Sequence, residues 1–232
     1  MSKRIGAHTM KIVSILALTI ISILFGAHPA IAAKLNVVHG IDGRDLALGQ
    51  SLPVDIAVNG TCSLTGVTFK QSALVELSPA TYTITVHLSD GACSQAPVIT
   101  KAVTVEEGSN SFSAVASLSS TGTPQLVVFN NSRELFLPSA VTVRHLAKAG
   151  PVFVKFSSRE LARSQTKRIR NGKSSSLLVL TDKLQYTANI QASASGGAIA
   201  RKTGVGARKF TIHNIVGSQA NGFSIITERL SP

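Results

Sequence analysis

From Leu74 to Leu88 apolar and polar residues alternate on both sides of a turn centred on Pro79. A period of two gives each arm one face for a core and one for water, which suits strands and not helices. The segment therefore predicts two strands, Leu74–Leu77 and Thr81–Leu88, joined by a short turn. A weaker copy follows about a hundred residues later, a spacing that points to an internal repeat. It consists of Leu177–Leu180, the polar Thr181-Asp182-Lys183, and Tyr186–Ile190.

The rest of the chain fits the same unit. Further strands are expected at Leu35–His39, Val54–Val58, Val98–Val105, Phe112–Leu118 and Leu126–Phe129, separated by turn signals such as Asn59-Gly60 and Asp90-Gly91. Seven short strands in the first half, with turns at roughly ten-residue spacing, favour a β-sandwich. After a polar connector, Asn130–Pro138, the second half reopens with Val141–His145, which echoes Asn36–His39. Phe210–His213 answers Phe112–Val115, and a last strand runs from Phe223 to Thr227. Matching residues are offset by 106, 104 and 98 positions (His39/His145, Tyr82/Tyr186, Phe112/Phe210). The expected architecture is all-β, with two tandem antiparallel β-sandwiches over residues 34–135 and 136–232. Aromatic residues make up 5% of the chain and Trp is absent, so the cores must be built largely of Val, Ile, Leu and Ala.

Residues 1–32 read as a signal peptide. Lys3, Arg4 and Lys11 precede an apolar run from Ile12 to Phe25, and Ala30 and Ala32 fit a small-residue cleavage site just before Ala33. No other apolar stretch approaches the ~18 residues a membrane helix needs, so the mature chain is expected to lack a transmembrane segment. The expected location is the periplasm or the cell exterior. In that setting Cys62 and Cys93, the two cysteines of the chain, are expected to form one disulfide. Neither has a C-x-x-C partner that would favour a metal.

Four segments carry a family resemblance: Val37-Val38-His39, the Leu-Pro-Val-Asp-Ile-Ala-Val-Asn-Gly run from Leu52 to Gly60, the Leu77–Tyr82 turn, and His87–Ser94. Together they resemble the exported bacterial proteins of domain-of-unknown-function family 4397. The resemblance implies tandem immunoglobulin-like or prealbumin-like sandwiches outside the cytoplasm, without an assigned activity. In the second repeat it rests on Val143-Arg144-His145, Tyr186 and Gly217–Phe223. There Val152-Phe153-Val154 replaces the usual Val-Asp-Val run.

Charge is divided between the halves. Residues 34–135 hold 5 basic and 8 acidic side chains, whereas residues 136–232 hold 15 basic and 3 acidic ones. The densest block is Arg159, Arg163, Lys167, Arg168, Arg170 and Lys173. Such a block attracts polyanions, although it would also serve as a solvated hairpin. No aromatic residue lies within it to stack on bases, which disfavours nucleic acid. An anionic envelope polymer or lipid surface is the expected partner.

Motifs for hydrolases, nucleotide binding or metalloproteases are missing, and no catalytic residue, metal site or cofactor is assigned. His39 and Asp55 are expected to lie on neighbouring strands and to share a structural hydrogen bond. His87 and Asp90, with Asp42 or Asp45, could form a weak cation site, but turn capping is the preferred role. A non-catalytic binding or envelope module is the expected function. A hydrolase of surface polymer and a structural assembly protein are the alternatives, and the oligomeric state is left open.

Overall fold

A computed structural model describes residues 32–107, 111–131, 140–159, 161, 163–178, 184–206 and 210–230. The expected signal peptide, Ala30 included, lies outside them except for its last residue, the exposed Ala32.

Among the described residues eight strands build each half. In the first they are β1 (Ala33–His39), β2 (Val54–Val58), β3 (Thr61–Val67), β4 (Ser72–Leu77), β5 (Ala80–Leu88), β6 (Pro97–Val105), β7 (Ser111–Leu118) and β8 (Pro124–Asn130). In the second they are β9 (Ala140–His145), β10 (Val152–Ser158), β11 (Gln165–Ile169), β12 (Lys173–Leu178), β13 (Leu184–Gln191), β14 (Ala198–Gly206), β15 (Phe210–Ser218) and β16 (Gly222–Leu230). They pair as four four-stranded sheets, ordered β4-β1-β7-β8 and β3-β2-β5-β6, then β12-β9-β15-β16 and β11-β10-β13-β14. The second pair repeats the first strand for strand. The chain is thus all-β, with two sandwiches. The expected antiparallel pairing holds apart from one parallel pair in each half, β1 with β7 and β9 with β15.

The Pro79 segment is not a hairpin. β4 pairs with β1, while β5 pairs with β2 and β6 in the opposite sheet, so the turn carries the chain across the sandwich. Val75 and Leu77 on one arm and Tyr82, Ile84 and Val86 on the other face the core, from opposite sides, whereas Leu74 and Leu88 at the ends are exposed. In the first half the strand missing from the sequence reading is β3, and in the second β11 and β14 were also missed. The residues of β3 are mostly polar and it is broken by Gly66, where φ is +64°.

One core fills the first sandwich, built from residues such as Leu35, Val37, Ile56, Ile84, Val86, Phe112 and Ala114. A second, around Val143, Val154, Phe156, Ile190 and Ile215, fills the other. A third apolar cluster joins Val38 and Val115 to Leu146, Val216 and Ile226, drawing on both sandwiches. β7 and β15 are consequently buried at every position. One face of each meets its own core, and the other meets the opposite repeat.

Beside this third cluster lies a buried polar network. Glu228 accepts hydrogen bonds from Asn36 and Ser113 of the first sandwich, each at 2.7 Å, and from Asn214 and Arg144 of the second. Arg144 also donates to Asn131 and lies over the Phe129 ring. At one rim, Asp45 accepts from Asn221 at 2.6 Å and from Ser218 at 2.5 Å. Buried polar groups of this kind hold their positions only when paired, so they fix how the repeats meet.

Candidate functional site

Cys62 on β3 is bonded to Cys93, with a Cα separation of 5.6 Å. The bridge ties the β3 edge to the β5–β6 loop. Asp55 on β2 secures the same loop from beneath. Its carboxylate accepts from the Ser89 hydroxyl at 2.7 Å and from the backbone amides of Gly66, Asp90 and Gly91 at 2.8–2.9 Å. Burial alone would raise its pKa, but these four donors outweigh burial and hold it well below the usual carboxylate range.

The expected His39–Asp55 bond is not made, because β1 and β2 belong to opposite sheets of the sandwich. His39 instead meets the Leu52 carbonyl at 2.7 Å through Nε2 and accepts the Ile41 amide through Nδ1. Both residues are structural, each holding a loop from the strand it stands on. His145 repeats the first of these contacts, with Nε2 2.8 Å from the Gly150 carbonyl. Burial lowers the pKa of both imidazoles. His87 holds the Gln95 carbonyl and the Thr85 hydroxyl, and Asp90 caps its own loop through Ala92 and Ser94. Among the described residues no group of His, Cys, Asp or Glu is arranged to hold a metal.

The six basic residues singled out in the sequence are all exposed. Arg159 and Arg163 flank the β10–β11 connection, Lys167 and Arg168 lie on β11, Arg170 is in the turn that leaves it, and Lys173 opens β12 in the other sheet. β11 is an edge strand, so this cationic border runs from one sheet of the second sandwich to the other. Among the described residues none of the six makes an ion pair. The pairs present are Arg44–Asp42 and Arg144–Glu228.

Strand register brings further cations beside this border. Thr166, Lys155, Asn189 and Arg201 stand opposite one another across β11, β10, β13 and β14, forming one row on the outer face of the sheet. In the neighbouring row Arg168 pairs with Phe153. Asn189 Oδ1 accepts the Nε–H of Arg201 at 2.7 Å and holds the guanidinium against the sheet. On the other side of the cationic row, Ser157, Thr187 and Thr203 form a third row that slopes into an open depression of about 510 Å³. Sequence reading missed Lys155 and Arg201 because they are distant along the chain. The only local signal was their two-residue spacing from Phe153 and from Thr203.

Below the depression Tyr186 donates to, or accepts from, His213 Nε2 at 2.6 Å, and His213 Nδ1 meets the Thr227 hydroxyl at 3.0 Å. This contact links the two sheets of the second sandwich. Burial, reinforced by Lys202 and Arg229, brings the His213 pKa down to about 4.

A family profile described as "Domain of unknown function (DUF4397)" matches residues 33–155. No curated protein matches the chain. Among solved structures, a crystal structure named "putative polysaccharide binding proteins (DUF1812)", from Bacteroides thetaiotaomicron, is similar at 10% identity, covering 86% of this chain and 98% of that one. Its TM-score is 0.25, too low for fold or ligand to be carried across.

Proposed function

The chain belongs to the family described as Domain of unknown function (DUF4397), and we propose that it is an exported, non-catalytic binding module whose second sandwich holds an anionic polymer. The observation that carries this reading is the cationic border. Arg159, Arg163, Lys167, Arg168, Arg170 and Lys173 are exposed together without an acidic partner among the described residues. Exposed charges of one sign repel each other and raise the local concentration of polyanions. The leader at residues 1–32 supports export. His39, His87 and His213 use both ring nitrogens within the fold, which favours binding over catalysis.

The test is binding of the mature chain, residues 33–232, to purified anionic envelope polymers across a salt series. Binding should weaken steeply as salt screens the border, and the Lys167→Ser/Arg168→Ser/Arg170→Ser variant should lose most of it. Absence of binding at low salt would sink the proposal and leave the border as a solvated surface.

A further inference from the structure

Building on the proposed binding role, we infer that the ligand is an acidic polysaccharide and that it lies across the outer face of the β11-β10-β13-β14 sheet, on Phe153, Lys155, Arg168 and Arg201. The duplication supplies the first argument. In the first repeat the corresponding sheet carries Asp55 opposite His87, where the second has Phe153 opposite Gln191. Likewise Ala57, Thr85 and Thr100 form the row that Lys155, Asn189 and Arg201 form in the second repeat.

The two faces are treated in opposite ways. On the first, Asp55 draws residues 89–91 down onto the sheet, and Cys62, paired with Ala57, anchors the same loop through Cys93. Asp55, Ala57 and His87 are buried in consequence. On the second, Thr166 stands at the cysteine's position opposite Lys155. An aromatic replaces the acid, and Lys155 and Arg201 are exposed while Phe153 stays partly so. Substitution has uncovered the positions of Asp55 and Ala57, which the first repeat keeps buried, and has placed an aromatic ring and a cation there.

The chemistry of that face selects the ligand class. The apolar C–H side of a pyranose ring packs on a partly exposed aromatic such as Phe153. Lys155, Arg168 and Arg201 suit carboxylate or sulfate groups, the two arginines through paired donors. Ser157, Thr187, Thr203 and Asn189 offer donors and acceptors for sugar hydroxyls. The sheet steps by about 4.8 Å per strand, close to the advance of one sugar unit in an extended polymer. A nucleic acid would call for several stacking aromatics along its path, and a lipid surface for apolar side chains to insert. This face has one aromatic and a hydroxyl-rich surround.

The experiment compares the mature chain with Phe153→Ala and with Lys155→Ser/Arg201→Ser for binding to polygalacturonate, dextran, double-stranded DNA and anionic phospholipid vesicles at one moderate salt concentration. Unfolding midpoints are recorded for each variant, and the double variant alters only solvent-exposed side chains. Expected is binding to polygalacturonate but not dextran, weakened roughly tenfold or more by either variant, a loss equivalent to about 1.4 kcal/mol. If the parent binds polygalacturonate and both variants bind it equally well, the face is not the site, while the cationic border keeps its proposed role. Binding to DNA or vesicles at least as tight as to polygalacturonate would overturn the ligand class. Failure of the parent to bind any polyanion would overturn both this inference and the reading it rests on.

Discussion

The guanidinium carbon of Arg144 sits 4.1 Å from the centre of the Phe129 ring, so a cation of the second sandwich is enclosed against an aromatic of the first. Arg144 is 1% exposed and its partner Glu228, 3.5 Å away, is 5% exposed. Replacing Arg144 by Ala strands that carboxylate, with an expected loss of about 3–5 kcal/mol in urea unfolding of residues 33–232. The Arg144→Met/Glu228→Gln pair should lose less, because it leaves no uncompensated charge. Equal losses in the two variants would mean that packing, not charge, dominates the contact.

Removing the Cys62–Cys93 bridge by Cys→Ala at both positions should lower stability by about 3–4 kcal/mol, the chain-entropy value for a loop of this size. The sequence separation is 31 residues. Limited proteolysis should then cut first between Ser89 and Pro97, the loop the bridge secures.

Asp55 gives an acid-sensitive contribution of definite sign. Its native pKa is depressed, so its contribution is complete above the unfolded value of about 3.9 and is lost as pH falls through the lower native value. Asp55→Asn should lower the urea midpoint at pH 7 and flatten the decline in stability below about pH 4. A decline unchanged in slope would assign it to other carboxylates, among them Asp42 and Asp90, whose values are also lowered.

His213 acts at higher pH. Buried neutral, with a native pKa of about 4, it takes up a proton more readily once the chain unfolds. Its contribution is complete above the unfolded value of about 6.5 and falls away as pH drops from there towards about 4. Unfolding midpoints at pH 7.5, 6 and 5 should therefore decrease in the parent. They should decrease less in His213→Gln, with His39 and His145, shifted in the same direction, accounting for the remainder.

Much of the fold was legible because strand alternation is local. Val54–Val58, Thr81–Leu88 and Phe112–Leu118 all became strands, and the duplication was visible in residue offsets. Pairing was less legible. The residues around Pro79 encode two inward faces equally well for a hairpin or for a corner between sheets, and only the packed core decides. Ser113, Ser117 and Asn214 read as water-facing, yet they are buried because another repeat covers that side. A polar residue on an alternating strand does not say whether water or a second polar surface awaits it. Of the candidate site, the run from Arg159 to Lys173 was plain, since its residues are neighbours in the chain. The row through Lys155 and Arg201 exists only once β10, β13 and β14 are in register.

The parallel pairing of β1 with β7 has a bearing on the order in which the protein can form. β1 is an interior strand whose two hydrogen-bonding edges are filled by β4 and β7, so the chain emerging N-terminus first carries an apolar, half-satisfied strand until residue 118 is available. β9 waits likewise for β15. Contacts so distant along the chain slow folding, and an exposed interior strand invites pairing with a neighbouring molecule in the meantime. Each sandwich is therefore most vulnerable when it is nearly complete, which makes β7 and β15 the strands whose arrival ends the hazard.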